Sequence, residues 1–456
     1  MVLLTACASF SPDNGFDSVK NAVNQRTSAE PRWARTDAER GEVRQAVTSL
    51  LGQPLTADAA VQIALMNNRG LQATYSDLGI AEADLVQAGR LPNPRFAFER
   101  LVRGDELEIG RAFIVNVLSL LTMPARTQIE QRRFAVAKTR VAGEAARVAA
   151  DTRRAWYSAV AAQEGVKYMQ QVKDAAEASA ELAQRMARAG NFSKLDQARE
   201  QVFYAETTAQ LARVSQAAVA ERENLTRLMG LWGEHIRFTL PERLPDLPKA
   251  PQQLEQAESD ALRQRLDVQA AMQEAESVAS SLGLTRVTGF ISLLEVGYQH
   301  NSETGKPPQK GFEVELRLPI FDTGNARVVR AQHTYMQAVE RAAELAVRAR
   351  SEVREATNGY RTTYDLARHY RDEIVPLRKR ISDENVLRYN GMLISVFELL
   401  ADARQQVASV NAYIEALRDF WIADANLRSA LTATSPGATT VSRRTSAPSE
   451  ATAAGH

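Results

Sequence analysis

The chain has little of several things a compact enzyme uses. One cysteine, Cys7, stands among 456 residues, which excludes a disulfide within the chain. Aromatic residues make up 6%, thin for the core of a large globular enzyme but natural in an alanine-rich helical assembly. No run of 18 apolar residues occurs, so the sequence offers no transmembrane helix. Neither sign of charge dominates: Lys+Arg 56 against Asp+Glu 55 removes the electrostatic argument for a nucleic acid or an acidic surface as partner. His235, His300, His333, His369 and His456 lie at no metal-ligand spacing with each other or with Cys7. Met186 and Met392 fit helix packing better than soft-metal contact. There is no phosphate-cradling glycine loop, Ser-His-Asp set or supported carboxylate pair, so neither enzyme chemistry nor a cofactor or metal is expected.

Proline is missing over one long stretch, and that stretch organises the chain. From Ala125 to Arg188 there is none, and glycine appears only at Gly143 and Gly165. Ala, Arg, Gln and Glu, all strong helix formers, fill the rest. A continuous helix there spans roughly 95 Å, too long for an ordinary compact domain. Its small-residue stripe, including Ala155, Ala159 and Ala162, lets neighbouring helices approach closely.

The remaining chain divides around this helix. Residues 8–53 are polar and read as an extended linker with at most short helices. Thr56 is an N-cap candidate for a helix that stops at Gly89 and Leu91-Pro92-Asn93-Pro94. A two-strand hairpin at 94–119 follows, turning at Gly104-Asp105. Its period-two alternation is interrupted on the apolar face by Arg100 and Arg111. Pro124 suits the first turn of the long helix, and a helical hairpin is predicted over 124–229. That hairpin breaks at Ala189-Gly190-Asn191 with Ser193 as N-cap. Prolines mark 230–251 as a connector, with a short strand predicted at His235–Leu240.

The pattern then repeats. A helix from Ala261 to Val287, a hairpin at 288–320 and a helical hairpin at 325–431 echo the first half. Pro376 predicts a kink in the second long helix. Ala64 matches Ala261 and Gly190 matches Gly391, an offset of roughly 200 residues that marks 54–229 and 252–431 as an internal duplication. The tail 432–456 is rich in Ser, Thr, Ala, Gly and Pro and is predicted to be disordered. Two strands per half cannot close a barrel, because membrane barrels take about eight strands or more. Open edges do not survive in lipid, so strands facing lipid require several chains. Three would supply twelve.

Several motifs carry a resemblance. Pro54-Leu55-Thr56 with Ala64-Leu65-Met66-Asn67-Asn68-Arg69, then Leu91-Pro92-Asn93-Pro94, resembles the opening of TolC-like outer membrane efflux proteins. Leu318-Pro319-Ile320-Phe321-Asp322-Thr323-Gly324 resembles that family's post-hairpin motif. Tyr389-Asn390-Gly391-Met392-Leu393-Ile394-Ser395 with Leu399-Leu400 resembles its helix-turn signature. The family implies an α+β membrane protein with a duplicated helix–β-hairpin–long helical hairpin. Its homotrimer has a 12-stranded β-barrel in outer membrane lipid, continuous with a periplasmic α-helical barrel. It implies a passive duct that serves a periplasmic adaptor (a membrane fusion protein) and an inner-membrane efflux pump. Residues 1–7 resemble a residual signal ending in a lipobox, Leu4-Thr5-Ala6-Cys7, with the family implying a lipid on Cys7 and the bland alternative being a free thiol. It also implies adaptor contact at the helix turns, Gly190, Asn191, Ser193, Asn390, Gly391 and Ser395. Asp196, Glu398 and Asp402 are candidates for the closed aperture, against the alternative that Asp196 and Glu398 are only helix-N-terminal charges. In this alignment the second turn carries one residue more than the first, since Glu398 lies seven after Gly391 and Asp196 six after Gly190. The competing reading is a soluble periplasmic coiled-coil adaptor or scaffold, which explains the helices but not the duplicated hairpins. The cargo is not encoded in any of these motifs.

Overall fold

A computed structural model describes residues 9–253, 256–290 and 293–434. Cys7 and the tail beyond 434 lie outside the described residues. The chain begins with α1 (Phe16–Thr27) and α2 (Asp37–Leu51), where the sequence reading expected a linker. The correction has a local cause. Thr36 and Glu39 form a reciprocal capping box at the start of α2. Val19 and Val23 on α1, and Val43 and Val47 on α2, are buried at i,i+4 spacing. Buried Glu82 ties the entry down by accepting bonds from the Ser11 amide at 2.7 Å and Asn14 Nδ2 at 2.6 Å.

The next helix is two helices, α3 (Ala57–Asn67) and α4 (Arg69–Ala88). Asn68 leaves helical geometry and its side chain accepts from Leu71 N, capping α4. Strands β1 (Arg95–Arg103) and β2 (Glu106–Asn116) pair antiparallel across the two-residue turn at 104–105. Helix α5 (Val117–Arg188) has 72 residues, roughly 110 Å of helix. It starts seven residues before Pro124 rather than at it, because Asn116 Oδ1 caps Ser119 N at 2.7 Å. Pro124 therefore sits inside the helix and leaves one carbonyl without its usual donor. Helix α6 (Lys194–Met229) returns along α5 and ends at left-handed Gly230. A side chain there would press on the backbone of Asn67 and Asn68.

The connector holds no strand among its described residues. It forms a short 3-10 turn, Gly233–Ile236, and then runs extended. Its hydrogen bonds go to the helical bundle instead of a sheet partner. Thr239 O accepts from Leu55 N at 2.8 Å, Pro245 O from Trp421 Nε1 at 3.0 Å, and Pro248 O from Tyr364 Oη at 3.1 Å. Phe238, Leu240, Leu244 and Leu247 are buried in the main core with Trp156, Tyr360 and Phe420.

The second half repeats the first with the same interruption. Helices α7 (Ala257–Gln264) and α8 (Leu266–Thr288) break at Arg265, as α3 and α4 break at Asn68. Strands β3 (Leu294–Glu303) and β4 (Gln309–Leu316) lie within the hairpin predicted at 288–320. Gly324, at φ +79°, lies so close to Gly289 O that an added Cβ would sit 2.2 Å from it. Helix α9 (Asn325–His369) passes through a π-helical turn, Tyr370–Ile374, into α10 (Val375–Asn390). Pro376 stands in the first turn of α10. Where the sequence predicts a kink, the structure has this wider π-turn, which accommodates the residue that lacks an N–H. Helix α11 (Val396–Thr432) closes the described chain, and Ala433 O accepts from Leu266 N at 3.0 Å.

The four strands make one antiparallel meander, β1-β2-β3-β4, in which the β2–β3 pairing joins the two halves.

Candidate functional site: the sheet and the helical tips

The register of the sheet sorts its side chains into rows. Phe96 pairs with Phe113, Phe113 with Tyr298, and Tyr298 with Phe312, so one aromatic row crosses all four strands. Nearer the helices, Val115, Val296 and Val314 form the next row on the same face. Leu294 and Leu316 follow them. These side chains are exposed or half-exposed in the single chain, Phe312 at 84% and Val314 at 66%. A sheet with a continuous exposed apolar face has the pattern of lipid contact.

The opposite face is acidic. It carries Glu99 on β1, Glu106 and Glu108 on β2, Glu295 and Glu303 on β3, and Glu313 and Glu315 on β4. Arg95 and Arg103 are the cations set among them, and Arg95 pairs with Glu295 at 3.0 Å. The period of two thus keeps every strand carboxylate off the aromatic face.

At the far end of the helices, the two turns are chemically equivalent. In the first, Ala189, Gly190 and Asn191 donate to the carbonyls of Arg185, Ala187 and Met186. In the second, Gly391, Met392 and Leu393 donate to those of Leu387, Tyr389 and Arg388. The left-handed residue is Gly190 at φ +79° in one and Met392 at φ +59° in the other. Gly391 is therefore the counterpart of Ala189, not of Gly190. This corrects the sequence alignment by one residue and removes the extra residue assigned to the second turn. Ser193 Oγ then caps Asp196 N at 3.1 Å, and Ser395 Oγ caps Glu398 N at 3.3 Å. Asp196 and Glu398 are equivalent, and so are Glu200 and Asp402, each pair 202 positions apart.

No family model matches the chain. Over 286 residues it is 26% identical to the cobalt-zinc-cadmium resistance protein CzcC of Cupriavidus metallidurans, covering 61% of this chain. That alignment spans 66% of CzcC, just under two thirds of its length. The Campylobacter jejuni CmeC outer membrane channel superposes with TM-score 0.72 at 14% identity, covering 90% of each chain. CusC superposes with TM-score 0.68 at 14% identity, covering 83% of this chain and 92% of its own. This chain has the TolC-like channel fold. The part of this chain that superposes on CmeC amounts to 90% of it, and the chain has four strands and long helices.

Within this fold the candidate aperture acids have different surroundings. Asp196 accepts from Ser193 Oγ at 2.6 Å and lies 3.4 Å from Arg199, so its charge is engaged by its own first turn. Glu398 is exposed, with only its backbone amide in the cap. Asp402 is buried, and its Oδ2 has no hydrogen-bond partner. Gly190, Asn191, Asn390, Gly391 and Ser395 are exposed at the two turns, as is Ser193. Near these tips the two TolC-like hairpins touch, with the Arg404 guanidinium 4.2 Å from the Phe203 ring centre.

Sequence reading missed Glu200. It is buried at 2% exposure and accepts from Ser179 Oγ at 2.9 Å. A glutamate at a core position of the TolC-like helical hairpin was the available signal. No helix of the described residues is long and apolar enough to cross a membrane, and the same residues hold no cluster of three metal-binding side chains.

Proposed function

We propose that this chain is the outer membrane exit duct of a tripartite efflux system. It works as a passive homotrimer, joined to a periplasmic adaptor and an inner-membrane pump. The observation that carries this is the sheet. Its apolar face suits lipid, yet β1 and β4 each leave an open edge. Unpaired backbone groups are not tolerated in a bilayer, so neighbouring copies must complete the barrel. Three copies give twelve strands, and each contributes helices of roughly 100 Å to a tube across the periplasm. The two repeats, 54–229 and 252–431, supply matching staves, and the equivalence of the two tips at one offset supports their origin by duplication. In this reading the adaptor docks at the tips around Gly190 and Gly391, the aperture is drawn closed near Glu398 and Asp402, and Cys7 carries the lipid anchor.

Divalent transition-metal cations are the cargo we propose. The name of CzcC concerns cobalt, zinc and cadmium, and the acidic face of the sheet would line the exit with glutamates that attract cations.

Two measurements test the reading. Fractionation should place a heat-resistant trimer in the outer membrane, and a soluble species would sink the duct in favour of a periplasmic scaffold. Deleting the gene should raise intracellular zinc, cobalt or cadmium on metal challenge. Unchanged accumulation of all three removes the proposed cargo and leaves the duct intact.

A further inference from the structure

The apolar face of the sheet does not stay apolar to its tip. One row beyond Phe96–Phe113–Tyr298–Phe312, about 6.6 Å further along the strands, the register aligns Phe98, Arg111, His300 and Lys310. The row after that begins with Arg100, paired to Ile109. Arg100, Arg111 and Lys310 are exposed. The ion pairs of the sheet, Arg95–Glu295 and Lys306–Glu303, do not involve them. No carboxylate stands on this face of the four strands; all seven strand glutamates project from the other.

The position of these cations follows from connectivity. The strands leave the helices at their Arg95, Asn116, Leu294 and Leu316 ends and turn back at 104–105 and 304–308. The basic rows therefore lie on the side of the aromatic row away from the helices, which in the outer membrane reading is the cell exterior. Aromatic side chains mark the membrane–water boundary of such barrels. Cations just beyond that boundary, with no ion-pair partner among the described residues, stand at the depth of the outer headgroups. Neighbouring strands are about 4.8 Å apart, so Arg111 and Lys310 flank His300 within reach of a single phosphate. A guanidinium binds such an oxyanion through two parallel hydrogen bonds.

We infer that Arg100, Arg111 and Lys310 form a binding surface for the phosphate groups of outer-leaflet lipid, held against the aromatic row that seats the acyl chains. The inference rests on the outer membrane reading above. Each cation near an anionic lipid surface is worth about fivefold in binding, so the three together amount to about a hundredfold.

The test uses the full-length protein in phosphatidylcholine vesicles carrying diphosphorylated lipid A, dephosphorylated lipid A, or neither. Lipid retention and the temperature of trimer dissociation are measured. The phosphorylated lipid should raise that temperature and be retained about a hundredfold better than the dephosphorylated one. The triple variant Arg100→Gln, Arg111→Gln, Lys310→Gln should lose most of both effects. Equal retention of the two lipids by the unaltered protein overturns the inference without relying on any variant. So does a full effect in the triple variant, or an equal rise with inorganic phosphate in plain vesicles, which would make the ligand a free anion. Insertion with no lipid preference overturns this inference alone. Failure to insert into any vesicle overturns the outer membrane reading, and this inference with it.

Discussion

Glu200 and Asp402 occupy equivalent places on α6 and α11, both buried, and only Glu200 has a donor for the oxygen it buries. Ser179 donates to Glu200, while the residue equivalent to Ser179 on α10 is Ile381. A buried acceptor without a partner bears its full desolvation penalty, about 1–3 kcal/mol. Ile381 is 45% exposed, so replacing it gives up little burial. Ile381→Ser should therefore stabilise the helical hairpin by about 1 kcal/mol, and Ser179→Ala should destabilise its counterpart by about 1–3 kcal/mol. Urea denaturation of each variant reads both signs. An Ile381→Ser variant less stable than the parent would show that Asp402 is not short of a donor.

Arg265 is 0% exposed and is held by Asp267 at 2.6 Å and Glu352 at 2.8 Å. Burial works against its charge, but the hydrogen bonds and attraction of Asp267 and Glu352 outweigh this and hold the guanidinium above its ordinary pKa. It joins the α7–α8 break to α9, where the first half uses Asn68. Arg265→Ala leaves two carboxylates facing a void and should cost about 3–5 kcal/mol. Thermal denaturation should show a large drop in midpoint; a change below about 1 kcal/mol would mean that water replaces the guanidinium freely.

Asp424 on α11 is buried at 4% exposure, and desolvation raises its pKa despite Arg428 at 2.9 Å and the field of Arg153. The native state therefore takes up a proton at this site more readily than the unfolded chain does. Its contribution to stability improves as pH falls through the raised native value toward 3.8, the ordinary one. Asp424→Asn should be more stable than the parent at neutral pH, with the difference shrinking as the pH is lowered. A difference that grows on acidification would reverse the sign and place the Arg428 attraction above the burial cost.

The tip acids should separate by function. Asp196 is engaged by Ser193 and Arg199, whereas Glu398 is exposed. Glu398→Ala should weaken cation block of single-channel current in reconstituted trimers. Asp196→Ala should leave block unchanged and cost only about 0.3–1 kcal/mol as a lost helix-terminal charge. Equal loss of block in both variants would put both acids in the aperture.

The π-turn Tyr370–Ile374 and Pro376 interrupt the second stave, where α5 is unbroken over the corresponding length. Pro376→Ala restores a backbone donor to the helix and should stiffen this segment. The expected result is a lower open fraction in single-channel recordings. An unchanged open fraction would make the bulge a packing feature with no part in gating.

Much of this architecture follows from local chemistry alone. The absence of proline from 125 to 188 requires a helix too long for a compact domain. The alternation Phe312, Val314, Leu316 against Glu313, Glu315 separates a greasy from a charged face. Ser193 and Ser395 announce the caps that the structure contains. Even α1 and α2 were legible in Thr36 and Glu39 and in the paired valines. The polarity of that segment masked them.

What only the tertiary structure decided is how distant segments align. Periodicity assigns a residue to a face but says nothing of which residue stands beside it on another strand. Arg100 and Arg111, read alone, interrupt an apolar face; paired through β2 and β3 with His300 and Lys310, they join a band of cations. The same holds at the tips, where glycine suggested one alignment and the hydrogen bonds of Met392 established another. A left-handed residue is normally glycine because it lacks a Cβ, so Gly391 attracted the match. The turn's geometry is set by which carbonyls its amides reach, and that depends on the packed helices, not on the residue type.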